Sequence, residues 1–151
     1  MLEAITIVLA FDFGLKRIGI AAGDTLTATA APRPAVLVGR AGPDWGAIGR
    51  EVLSLKPARL VVGAPYQVDG TDGALLARAR RFARELQRRF ALPVSLIDER
   101  FSSLEAGTAL SARRAAGERR RTRRTDIDST AAAVILERWL TGERGEDIRG
   151  L

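Results

Sequence analysis

The chain of 151 residues has no cysteine and no histidine. The first absence excludes disulfides and thiolate metal sites. The second excludes Ser-His-Asp and Cys-His chemistry, imidazole-bound zinc, and histidine as acid or base. A metal in this chain must be held by oxygen ligands, which points to Mg²⁺ or Mn²⁺. Lysine is nearly absent, two residues against 22 arginines, a bias that genomic composition explains as well as function does. No apolar run approaches the length of a membrane span and the N-terminus has no basic leader, so the expectation is a cytoplasmic protein with no membrane partner.

What is present fits a folded domain: 46% hydrophobic and 28% charged residues, with no repeat or linker to divide the chain. The expectation is one domain over residues 1–151. The net charge of +6 favours a polyanionic partner such as nucleic acid. That charge is localised, because residues 111–125 hold seven arginines against Glu118 alone.

The opening run Ala4-Ile5-Thr6-Ile7-Val8-Leu9-Ala10-Phe11 reads as a buried strand ending in Asp12, and Arg17 to Gly23 as its antiparallel partner. A third strand is expected over 35–38, after Pro32 and Pro34. Asp44 caps a helix to Leu55, and residues 59–63 form a short buried strand. Leu75, Ala79, Phe82, Ala83, Leu86 and Phe90 mark the inner stripe of a long helix. Residues 94–97 form the fifth strand. A helix is expected from Ser102 or Ser103 to Leu110, then a mobile basic loop at about 113–124. The last helix opens at Thr125 or Asp126, and 142–151 reads as a short polar tail. The pattern is α/β: a five-stranded mixed sheet, an antiparallel three-strand meander plus parallel strands, with helices on both faces.

Three acids stand at the ends of elements: Asp12, Glu99 and Asp128. If the strands ending in Asp12 and Glu99 are neighbours, their carboxyl ends converge, and the last helix can add Asp128 from above. Such a like-charged cluster needs a cation, and two divalent ions would equip it to cleave phosphodiesters without histidine. Plainer readings stand beside this one. Strand-end carboxylates are common, Asp128 after Thr125 fits a capping box, and Asp98 competes with Glu99 because alternate strand residues face opposite ways. Asp126 is a further acid nearby. Lys16 and Arg17, beside Asp12, suit a scissile phosphate or plain solvation, and the arginine-rich loop, which lacks aromatics, suits backbone binding. In the loop from Val68 to Gly73, Gly70 and Gly73 flank Asp69 and Asp72 and suit close approach to a nucleic-acid backbone; the plainer reading is a turn leading into a capped helix.

Asp12-Phe13-Gly14 with Arg17-Ile18-Gly19-Ile20-Ala21 resembles the first motif of the YqgF/RuvX family of pre-16S rRNA nucleases and Holliday-junction-resolvase-like proteins. Val61-Val62-Gly63-Ala64-Pro65 with Asp69 to Gly73 and Phe82-Ala83 resembles the second motif, Asp98-Glu99-Arg100 with Ser103 and Glu105-Ala106 the third, and Ile127-Asp128-Ser129 with Ala132, Ile135 and Leu136 the fourth. The four occur in family order across about residues 6 to 140.

The resemblance implies an RNase H-like fold and a two-metal nuclease using Mg²⁺ or Mn²⁺, with Asp12, Glu99 and Asp128 as catalytic metal ligands. Lys16, Arg17, Arg100, Arg119, Arg120, Arg121, Arg123 and Arg124 would bind nucleic acid. The implied role is trimming the 5′ end of the 16S rRNA precursor in ribosome biogenesis, on structured rRNA or a ribosomal subunit, by a monomer or weak homodimer. One alternative is a dimeric Holliday junction resolvase acting on branched DNA. Another is a non-catalytic RNA-binding assembly factor. Two departures stand out: Ala64 where the family has Leu, and Arg123-Arg124-Thr125-Asp126 where it tends to place a lysine. Arginine binds phosphate but does not readily release a proton, so any acid-base role of that lysine is absent here.

Overall fold

β1 (Ile7–Asp12) is the central strand. Its residues Val8, Leu9, Ala10 and Phe11 are all fully buried, as a strand covered on both faces requires. The computed structural model describes residues 6–64, 73–98, 124–142 and 145–148, with the backbone alone at 64, 73, 74, 98 and 124–128. β1 pairs antiparallel with β2 (Arg17–Asp24) and parallel with β5 (Arg59–Ala64). β3 (Ala30–Gly39) and β4 (Gly42–Pro43) extend the antiparallel side. β6 (Val94–Asp98) continues the parallel side and β7 (Glu146–Asp147) closes it antiparallel. The order is β4-β3-β2-β1-β5-β6-β7.

The helices divide between the faces. α1 (Trp45–Leu55) and α2 (Gly73–Phe90) cover the face bearing Leu9, Phe11, Ile18, Ile20, Leu60 and Val62. α3 (Arg124–Leu140) covers the face bearing Val8, Ala10, Ala21, Val61 and Ile97. The Asp44 carboxylate accepts from the Ala47 N–H at 3.0 Å, so the expected cap of α1 is in place. At its other end Lys56 adopts the left-handed conformation at φ 48°, and its N–H donates to the carbonyl of Val52.

The mixed α/β sheet with helices on both faces is as expected, but seven strands stand among the described residues where five were read. β3 begins five residues earlier than expected. Ahead of Val38 no strand among the described residues pairs with its outer edge, so the missing N–H groups of Pro32 and Pro34 are tolerated. β4 is only two residues long, too short for any periodicity. The "polar tail" is also corrected. It contains β7, and Ile148 behind it is buried, its N–H donating to the carbonyl of Val94 at 2.8 Å. Asp147 holds this edge by accepting from Ser95 Oγ (2.9 Å) and Arg59 (3.3 Å). The expected helix over 102–110, the basic loop over 113–124 and most of the 68–73 turn lie outside the described residues.

Candidate active site

Side chains alternate along β1. Leu9 and Phe11, with Phe13 just beyond, pack under α1 and α2, while Val8 and Ala10 pack under α3. Period two therefore puts Asp12 on the α3 face, at the carboxyl end of the central strand. It is partly exposed. Its in-register neighbours are Gly19 on β2 and Gly63 on β5. Neither has a side chain, so the two positions paired directly with Asp12 add only backbone beside it.

α3 runs antiparallel to β1. Its C-terminal half meets the far end of the hairpin, where a Cβ built on Gly23 would lie 3.0 Å from Leu136 and 3.2 Å from Leu140. Its N-terminal half meets Ile20, one residue from the Asp12–Gly19 pair. The backbone of Asp128 thus belongs to the helical turn at the same end of the sheet as Asp12.

One side chain pins that turn. Ile18 pairs with Val36 and Ile20 with Arg33, so β3 carries one extra residue at Pro34–Ala35. The result is a bulge beside Gly19, a device that re-aims strands near functional sites. The buried Ser129 hydroxyl fills the opening, donating to the Arg33 carbonyl at 2.6 Å and accepting from the Ile20 N–H at 3.3 Å. The hydroxyl thus gives both backbone groups a partner at the bulge. Ser129 was present in the fourth motif, but sequence spacing gave no hint of this role.

The condition that the strands of Asp12 and Glu99 be direct neighbours is not met. β5 lies between β1 and β6, so their axes are about 10 Å apart, two strand spacings. At the level of Asp12, however, β5 presents Gly63, which is in register with Ile97 of β6. The strand in between contributes no side chain to obstruct that gap.

Lys16 is exposed in the β1–β2 connection, and its carbonyl accepts from the Val38 N–H at 2.9 Å. Arg17 opens β2, partly buried and engaged. Glu99, Arg100, Arg119, Arg120, Arg121 and Arg123 lie outside the described residues, and for Arg124 and Asp128 the backbone alone is placed. No group of three or more metal-binding side chains converges among the described residues. No helix among them is long and apolar enough to cross a membrane.

The profile of the RuvX family, described as Holliday junction resolvase, matches residues 6–142. The chain belongs to the RuvX family. A relative from Xanthomonas campestris pv. campestris (strain 8004), named "Putative pre-16S rRNA nuclease", is 48% identical over 134 residues, covering 89% of this chain and 86% of the relative. One from Xanthomonas axonopodis pv. citri (strain 306), with the same name, is 47% identical over 133 residues, covering 88% and 86%. Among solved structures, Thermus thermophilus RuvC in complex with a Holliday junction substrate superposes with TM-score 0.56 at 16% identity, covering 93% of this chain and 99% of that one. The same protein in a second structure gives 0.55 at 15%. RuvX members are nucleases by family, which makes this chain a phosphodiester hydrolase. The RuvC likeness shows the RNase H-like fold.

Proposed function

We propose that this RuvX member is a divalent-metal-dependent endonuclease that processes the 5′ end of the 16S rRNA precursor in the cytoplasm, as a single domain spanning 1–151. One observation carries the reading. Asp12 ends the central strand between two glycines, at the end of the sheet where α3 brings the backbone of Asp128. The name shared by relatives at 47–48% identity supports the rRNA substrate.

In this reading Asp12, Glu99 and Asp128 hold Mg²⁺ or Mn²⁺. The donor set is all carboxylate oxygen, which suits a hard cation. We favour Glu99 over Asp98 because Ile97, two residues before Glu99, packs on the α3 face that Asp12 shares. When bound, the cation supplies Lewis-acid charge and a water of lowered pKa. The protein's own share is positional. The three carboxylates fix that charge at the lip of the sheet, while Lys16, Arg17 and the arginines at 100, 119–121 and 123–124 hold the phosphate backbone on either side.

The test incubates the protein and its Asp12→Asn variant with precursor rRNA and Mn²⁺. Wild-type cleavage and a loss of at least about 100-fold in the variant are expected; equal cleavage by both removes the site. A second reading, resolution of branched DNA, is favoured by the family description and by the RuvC fold. A four-way DNA junction in the same assay, with a measurement of oligomeric state, separates the two. Paired cuts by a stable dimer would replace the RNA reading.

A further inference from the structure

A cleft of about 580 Å³ opens at the same end of the sheet as Asp12 but on the opposite face. That size is within the range of ordinary ligand clefts. Its inner wall includes Phe13, Trp45 and Phe82, and its rim includes Arg40, Arg78 and Arg81. Phe13 directly follows Asp12, and alternation turns the two to opposite faces. The half-exposed Leu15 continues from Phe13 along the β1–β2 turn. A chain passing from Asp12 over the end of the sheet would therefore meet this cleft next.

The composition of the cleft departs from the rest of the chain. Only eight aromatic residues occur in the sequence, and five of them, Phe11, Phe13, Trp45, Phe82 and Phe90, form one contiguous group, of which Phe13, Trp45 and Phe82 line the cleft. Trp45 lies nearly parallel to Phe82, 5.4 Å between centroids at 28°, with the Arg89 guanidinium 4.3 Å from its ring centroid. Glu85, also in the lining, is paired with Arg88 and Arg89, and those arginines hold its carboxyl below the usual range. Arg40, Arg78 and Arg81 have no carboxylate partner among the described residues. Three unneutralised guanidiniums around an aromatic floor match a polyanion that also carries flat apolar groups.

We propose that this cleft binds the single-stranded RNA segment flanking the scissile bond, with Arg40, Arg78 and Arg81 on its phosphates and the Phe13–Trp45–Phe82 wall against its bases or sugars. The proposal rests on the nuclease reading for its substrate and adds a contact surface to the arginine-rich segment 113–124 read from the sequence. It gives the enzyme a preference for a single strand leading into the cut.

The test uses the full chain carrying Asp12→Asn, which keeps the probe intact, and Trp139→Phe, which leaves Trp45 as the sole tryptophan. The probe is a short oligouridylate, compared with an RNA duplex of equal length. Expected are a saturable change in Trp45 emission with the single strand and a weaker one with the duplex. Changing Arg40, Arg78 and Arg81 together to Ala should lower the slope of log K against log salt by about 2, three contacts at about 0.7 each. The triple Lys variant should keep the slope. If the triple Ala protein fails to fold, Arg40→Ala alone, on the β3–β4 hairpin, should lower the slope by about 0.7. An unmoved Trp45 signal, equal response to duplex, or an unchanged slope overturns the proposal. Cleavage by the wild-type protein is scored separately, so a failed nuclease reading with intact Trp45 binding is told apart from a failed cleft.

Discussion

At the scale of single residues, Ser129 has the sharpest consequence. Its hydroxyl satisfies two backbone groups that the Pro34–Ala35 bulge separates. Ser129→Ala leaves both without that partner in a buried place, so a loss of about 1–3 kcal/mol is expected in urea unfolding. Asp24 offers a charge-based test. The Thr27 N–H, then the Thr27 hydroxyl and the Leu26 N–H, stabilise its carboxylate and hold its pKa below the usual range. Because the folded value is depressed, that stabilisation is complete above the unfolded pKa and is lost as pH falls through the folded one. Asp24→Asn should therefore lower Tm at neutral pH, converge on the wild type at low pH, and so flatten the acid limb of a Tm-against-pH curve.

At the scale of elements, α1, on the Phe11 face, depends on local devices that substitution can isolate. Asp44→Ala removes the acceptor for the Ala47 N–H, and a loss of about 1 kcal/mol is expected by denaturant titration. The bidentate Arg33–Glu51 pair, with both contacts at 3.0 Å, ties β3 to α1 across the sheet edge. Gly145 is more demanding. It sits at φ +61°, and an added Cβ would approach the Leu96 carbonyl to 2.2 Å. Gly145→Ala should displace β7, which would appear as faster amide exchange at Ile148, the donor to Val94.

These elements also explain what could be read in advance. Strands buried on both faces, such as β1 and β5, and strongly amphipathic helices, such as α2, follow from apolar runs and helical spacing. β3 was shortened because Pro32 and Pro34 resemble breakers, and only the sheet reveals that they lie on an open edge. β7 was missed because two residues carry no period and its anchor Ile148 is a lone apolar position. Asp12 was legible because a carboxylate ended an apolar run. The arginines of the cleft were not, since no spacing along α2 links Arg78 and Arg81 to Arg40, which the β3–β4 hairpin brings to the same cleft.

At the scale of the whole molecule, the sheet separates its tasks by face. One side carries a large core of Phe, Leu and Ile under α1 and α2. The other carries a smaller layer, rich in alanine, covered by α3 alone among the described helices. Alanines at 131, 132 and 133 let α3 lie close to the strands. Ala132→Leu at this fully buried position should cost about 1–3 kcal/mol by overpacking and lower cleavage more than the same change in stability produced by Asp44→Ala. Comparing the two variants at matched fraction folded measures that difference.

The order of this sheet has a consequence for how the protein comes off the ribosome. Translation delivers β1, β2 and β3 first, then β5 and β6, and α3 only after residue 124. Until then Val8, Ala10, Ala21, Val61 and Ile97 lack the cover that α3 gives them, and the nascent chain does not yet contain Asp128. A polypeptide that stalls before α3 is thus sticky on one side and, in the proposed mechanism, lacks a ligand. Completion of the last helix would shield the sheet and arm the nuclease in a single event, so an enzyme directed at ribosomal RNA would be made in a form that cannot cut until its synthesis has passed that helix.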